Sequence, residues 1–173
     1  MWRESAVRLS DSGVYADGLF LPGRDIARFL ARDERCILAA VTLGAEADRL
    51  IESARIVSVY EGYMTDAAAS VLAERRLDAS VLAGSGENAA GSGKNRPRFS
   101  PGYGDLPLSV QTEFLSFLDA GRRIGLFASQ DGLLTPRKSI TAVIAKNAAP
   151  PGCETCRLSG DCERKKRGMT CGS

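Results

Sequence analysis

Apolar positions recur at helical spacing in four stretches of this chain. Arg24 to Arg32 sets Ile26, Phe29 and Leu30 on one side of a short helix. Ala45 to Ala54 predicts a helix with Ala47, Leu50, Ile51 and Ala54 inward, and a long helical region runs from about Val57 to Leu82, with a break near Gly62. Leu108, Gln111, Leu115 and Leu118 mark a fourth helix, with Asp105 as its cap and Pro107 in its first turn. Continuous apolar runs predict strands at Ile37–Leu43, within Ile124–Ala128 and at Ile140–Ala145. Residues 1–22 mix apolar positions with turn formers and predict no element. Helices and strands do not alternate as regular βαβ units, and no Rossmann glycine fingerprint follows a strand, which points to an α+β fold.

Composition changes this picture little. The 173 residues are 44% hydrophobic and 25% charged, which suits one soluble domain with a sizeable core. The formal net charge is +2, and all of it lies beyond residue 151: residues 1–151 carry 18 basic and 18 acidic side chains. A neutral body offers no electrostatic footprint for nucleic acid or an anionic membrane. No apolar stretch approaches a membrane span and no charged-then-apolar leader opens the chain, so the expected location is cytoplasmic. The chain contains no histidine. Ser-His and Cys-His nucleophile pairs and histidine zinc sites are therefore impossible within it.

Residues 98–105, Arg-Phe-Ser-Pro-Gly-Tyr-Gly-Asp, are the most informative stretch. Glycine permits close approach of a ligand to the backbone, and proline fixes the local path. Arg98 offers a planar fork of donors suited to a carboxylate. The stretch reads either as a preorganised loop for a small zwitterion or as a surface turn before a helix. Upstream, Asp66, Ser70 and Glu74 follow at spacings of four on one helix face, and Val71 and Leu72, which flank that face, are expected to bury the helix beside it. Glu74 reads either as the partner of a ligand's positive end or as a solvated carboxylate.

The order of parts is Asp-x3-Ser-x3-Glu, Arg-Phe-Ser-Pro-Gly-Tyr-Gly-Asp, an amphipathic helix, an Ile-Gly-Leu strand, Pro136-Arg-Lys-Ser139 and a β-branched strand. It resembles the activation domain of cobalamin-dependent methionine synthase, and more closely the short stand-alone proteins of that family. The resemblance covers about residues 20–145. In the full-length enzymes the matching loop reads Arg-Pro-Ala-Pro-Gly-Tyr-Pro and binds S-adenosylmethionine, which remethylates cobalamin after oxidation to cob(II)alamin. It implies a central, largely antiparallel mixed sheet packed with helices, and a cleft between the Arg98–Asp105 loop and the Glu74 helix. It further implies that Arg98 holds the methionine carboxylate and Glu74 favours the ammonium or sulfonium. Backbone groups around Ser100 and Gly102 would read the adenine or ribose, Tyr103 would pack on the ligand or the corrin edge, and Asp66 would belong to the same site. Cobalamin would sit on a partner corrinoid protein or methionine synthase module, because this chain has no imidazole for cobalt. An electron donor such as flavodoxin or ferredoxin is implied as well. The full-length enzymes carry Leu-Thr-Glu-Ser before their proline motif, where this chain has Leu126-Phe-Ala-Ser129, and they lack its cysteine tail.

Residues 84–94 are low in complexity and read as a connection into the Arg98 loop. Their Gly-Ser-Gly-Lys end fails as a P-loop, since Asn88 and Asn95 occupy the required glycine and Ser/Thr positions. Cys36 lies in an apolar strand and reads as a core residue. Behind Pro150-Pro151, Cys153, Cys156, Cys162 and Cys171 lie within nineteen residues. They can surround zinc or hold an iron–sulfur cluster, or they are reduced surface thiols. The organisation expected is a ligand-binding domain over 1–150 and a Cys-rich basic tail over 151–173. A different function class follows from that tail, a metal- or cluster-binding redox accessory protein. Arg164-Lys165-Lys166-Arg167 would suit an acidic partner, although nucleic-acid binding is disfavoured by the neutral body.

Overall fold

The computed structural model describes residues 1–84, 97–145, 147 and 160–169. The first 22 residues, which predicted no element, form three strands: β1 (Trp2–Ser10), β2 (Gly13–Ala16) and β3 (Leu19–Pro22). Both connections are two-residue hairpin turns. Asp17 and Gly18 both have positive φ, 48° and 98°, as the Asp-Gly hairpin turn demands. A short helix α1 (Arg24–Phe29) leads into β4 (Arg35–Thr42). The helices α2 (Ala45–Val57) and α3 (Val59–Gly84) follow. Past the undescribed residues 85–96 come β5 (Arg98–Phe99), α4 (Val110–Leu118), α5 (Ala120–Ile124), a small ribbon of β6 (Phe127–Ala128) and β7 (Leu134–Thr135), and β8 (Ser139–Ala145). One helical turn, α6 (Glu163–Lys166), is described in the tail.

The six-stranded sheet runs β3-β2-β1-β4-β8-β5. Every described pairing in it is antiparallel, so the sheet is not mixed as expected. The protein is α+β. The central strands β4 and β8 are apolar at almost every position because both faces are covered. Cys36, Leu38, Ala40, Val143 and Ala145 enter one core with α1, α4 and α5, centred on Phe114. Ile37, Ala39, Val41, Ala142 and Ile144 point the other way, onto Leu77 and Val81 of α3. The first core is broad and the second is a narrow strip.

The long helical region is two helices. The break falls at Ser58, whose extended backbone ends α2. Its hydroxyl accepts from the Glu61 N–H at 3.0 Å and so caps α3. Gly62 lies inside α3 and serves a different purpose. A Cβ there would stand 2.9 Å from the Cα of Arg55, so the missing side chain lets the two helices cross closely. Ile51 is buried between them, while Leu50, expected inward, is exposed. Val71 and Leu72, expected to help bury α3, are exposed too. The strip that buries α3 is instead Gly62, Ala69, Ala73, Leu77 and Val81.

Two further expectations change. Asp105 does not cap the helix that follows it. Its carboxylate accepts from the N–H groups of Arg24 at 2.7 Å and Asp25 at 3.0 Å, capping α1 across the fold. The run Ile124–Ala128 is not one strand. Ile124 ends α5, Gly125 turns the chain with φ of 65°, and only Phe127–Ala128 pairs. No helix of the described residues is long and apolar enough to cross a membrane. The expected boundary at residue 150 lies outside the described residues.

Candidate functional site

The site begins with the helical spacing of α3. Asp66, Ser70, Glu74 and Asp78 follow at intervals of four along the flank of the buried strip. Two cations from distant parts of the chain meet that flank, and they divide it into two clusters.

The first cluster is built by Pro136-Arg-Lys-Ser139, just before β8. The Thr135–Pro136 peptide is cis. The Ser139 hydroxyl donates to the Pro136 carbonyl at 2.6 Å, which closes the turn. Lys138 Nζ then donates to Asp66 Oδ2 and to Ser70 Oγ, both at 2.9 Å. Arg55 of α2 adds a second cation 3.7 Å from Asp66. The Lys138 hydrogen bond holds the Asp66 carboxyl below its usual range, against a smaller opposing effect of burial. Arg137 completes the junction. Its N–H donates to Asp48 Oδ2 at 2.8 Å and its guanidinium to Glu52 Oε1 at 2.9 Å, both on α2. This cluster fastens the helix pair to the start of β8.

The second cluster sits about two turns along α3, roughly 12 Å from Asp66 by helix rise. Arg98 opens β5 and pairs through the sheet with Ile144. Its guanidinium donates one nitrogen to Glu74 Oε2 and another to Asp78 Oδ1. The Arg98 side chain is only 20% exposed, whereas Glu74 and Asp78 are about half exposed. Arg98 and Glu74, expected in one site, are therefore brought together. Asp66, expected in the same site, belongs to the Lys138 cluster. Asp78 was not anticipated, although it continues the spacing of four that singled out Glu74.

The loop after Arg98 is fixed at several points. The Ser100 hydroxyl donates to the Thr141 carbonyl at 2.8 Å, tying the loop to β8. The Gly102 N–H donates to the Leu106 carbonyl at 2.9 Å, and the Tyr103 N–H to the Ser100 carbonyl at 2.9 Å. The Ser100 hydroxyl and the Gly102 amide are thus engaged within the protein. Gly104 has φ of 54°, and a Cβ there would lie 2.5 Å from an Asp25 carboxylate oxygen, so this turn rests directly on α1. Tyr103 is 60% exposed. Its ring meets Phe99 edge-on at 6.2 Å, and Phe99 in turn packs on Phe29 of α1 at 5.4 Å. The loop therefore offers one exposed aromatic, held through Phe99 on the α1 side of β5, whereas Arg98 points to the α3 side.

The cysteines part as their surroundings dictate. Cys36 is buried, and desolvation, reinforced by Asp17 and Asp33, pushes its thiol up to about 12. It is a core residue. Cys162 precedes α6 and is partly exposed. Cys153, Cys156 and Cys171 lie outside the described residues, and among the described residues no group of three or more metal-ligating side chains converges. No family model matches the chain, and no significant match appears among curated proteins.

Proposed function

We propose that the chain binds S-adenosylmethionine at the Arg98–Glu74–Asp78 cluster and supports reductive remethylation of cobalamin on a partner corrinoid protein, as in a split cobalamin-dependent methionine synthase. One observation supports the reading: a largely buried guanidinium, at the start of the Arg-Phe-Ser-Pro-Gly-Tyr-Gly-Asp loop, is held between two half-exposed carboxylates. The three charged side chains sum to one negative charge. S-adenosylmethionine has one carboxylate, one ammonium and one sulfonium, and so one net positive charge. The ligand carboxylate would replace a protein carboxylate on Arg98, and the released Glu74 or Asp78 would face the ligand's positive groups. Tyr103 would supply an apolar face for the adenine or the corrin edge.

The chemistry asks little more of the protein. The sulfonium methyl is already activated and a reduced cobalt is a strong nucleophile, so the chain's task is orientation. That division suits a chain without histidine, with the cobalt on a partner and electrons from a flavodoxin- or ferredoxin-like donor. In this reading the α+β fold is a stand-alone relative of the activation domain, working in the cytoplasm. A second reading, a zinc- or cluster-binding accessory protein, rests on the spacing of Cys153, Cys156, Cys162 and Cys171. Metal analysis of the anaerobically purified chain tests it, and absence of zinc and iron removes it.

Calorimetry with S-adenosylmethionine tests the first reading. Arg98→Ala should weaken binding by about 2–4 kcal/mol, roughly thirty-fold to a thousand-fold, because it removes a charge-assisted contact and leaves a carboxylate unpaired. Arg98→Lys should recover part of this, since an ammonium lacks the planar fork. Equal binding by the parent chain and Arg98→Ala would sink the assignment.

A further inference from the structure

Helix α3 is apolar on two opposite sides. One side lies on the sheet. On the other, Tyr60, Met64, Val71 and Leu72 are between 48% and 72% exposed, with the exposed alanines 67 and 68 between them. Ile56 and Val57 at the end of α2 continue this surface with exposures of 87% and 71%. A contiguous apolar surface of this kind marks a protein–protein contact. Methionine and aromatic side chains are also the types enriched at interface centres.

The charges on the stripe say what covers it. Glu61 and Arg75 lie on the same flank of the exposed face, and Ala68 lies midway, seven residues from each. A second copy of α3 running antiparallel, with a two-fold axis at Ala68, therefore sets Glu61 of each copy against Arg75 of the other. The same register sets Met64 against Leu72 and brings the small Ala67 and Ala68 together at the crossing. A two-fold interface must be self-complementary, with residue i meeting j and j meeting i. This stripe meets that condition in charge, in apolar character and in bulk.

We infer that the outer face of α3 is the interface of a two-fold homodimer, with the helices antiparallel about Ala68 and paired through Glu61 and Arg75. Light scattering on the full chain at tens of micromolar should give the mass of a dimer. Met64→Glu should give a monomer. Glu61→Arg or Arg75→Glu alone should weaken the dimer roughly ten-fold, because each reversal creates two like-charged pairs across the axis. The double reversal should restore it. Far-UV circular dichroism should stay unchanged, since these side chains are exposed. If a variant fails to fold, Ala68→Cys serves instead, and mild oxidation should join the two introduced thiols, identified by the mass of the linked peptide. A monomeric parent chain, a dimer indifferent to Met64→Glu, or a double reversal that fails to restore association would each overturn the inference.

Discussion

The two faces of the sheet are built differently. One is covered by α1, α4 and α5 over a broad core in which Phe114, Leu21, Leu30 and Leu126 are fully buried. Its one conspicuous buried polar contact, Thr141 Oγ1 donating to Gln111 Oε1 at 2.8 Å, ties α4 to β8 and leaves both groups satisfied. Among the described residues the other face is covered by α3, over a narrow strip that includes Leu77 and Val81. What the strip lacks in area is made up at its margin by Arg98 and by Lys138, each reaching onto α3. The broad core buries most of the apolar side chains, and the thin face carries the ion pairs of Arg98 and Lys138 and a helix whose outer side is exposed.

The largest test of that contrast is a pair of truncations. Phe114→Ala should cost about 3–5 kcal/mol, and Leu77→Ala about 2–4 kcal/mol, by lost burial plus the cavity left behind. Their pattern matters more than their size. Leu77→Ala should raise amide exchange mainly in α2 and α3 and leave β1–β3 protected, whereas Phe114→Ala should loosen the whole sheet. Identical, global exchange in both variants would mean that the two faces form one cooperative unit.

The same contrast explains what the sequence made legible. Strands β4 and β8 are buried on both faces, so their continuous apolar runs stood out. The inward side of α4 was legible because it meets a broad core: Gln111, Leu115 and Leu118 are buried there, whereas Leu108, read with them, lies before the helix and is exposed. α2 and α3 misled because apolar residues lie on both their sheltered and exposed sides, so Leu50, Val71 and Leu72 carried no sign of which side faces in. β1–β3 went unread although Asp17-Gly18 sits between Val14/Ala16 and Leu19/Leu21, a hairpin signal with apolar alternation on both sides. In the candidate site, residue type and spacing singled out Arg98 and Glu74 but left Glu74 equally readable as a solvated carboxylate, and only the family resemblance implied that the two share a cleft. The use of Asp66 by Lys138 was not, because those residues are 72 positions apart and only the turn before β8 joins them.

Asp105 sharpens the comparison on the thick face. Local reasoning assigned it to α4, and the fold assigns it to α1. Asp105→Ala should cost about 1 kcal/mol, as expected for loss of an N-terminal cap. The exchange of the Arg24 and Asp25 amides should quicken while α4 stays protected. Fraying of α4 in place of α1 would return the residue to its local role.

The smallest effect expected is a pH dependence confined to the thin face. Lys138 donates to Asp66 and holds its carboxyl below the usual range. A carboxyl whose folded pKa lies below its unfolded value, ordinarily about 3.9, stabilises the fold above that value. The contribution disappears as the pH falls through the lowered folded value. Asp66 is about a third exposed, with a relative side-chain accessibility of 32%, so the pair should contribute only about 0.2–1 kcal/mol. Lys138→Met should therefore bring the pH profile of unfolding of the two proteins together below the carboxylate range and separate them near neutrality, with the parent chain the more stable. The carbon resonance of the Asp66 carboxyl, followed by NMR, should titrate at higher pH in the variant, although Arg55 at 3.7 Å keeps part of the shift. An unchanged midpoint would mean that Lys138 fastens α3 by packing of its stem against the helix, and that the charge on this margin adds nothing to the hold of the thin face.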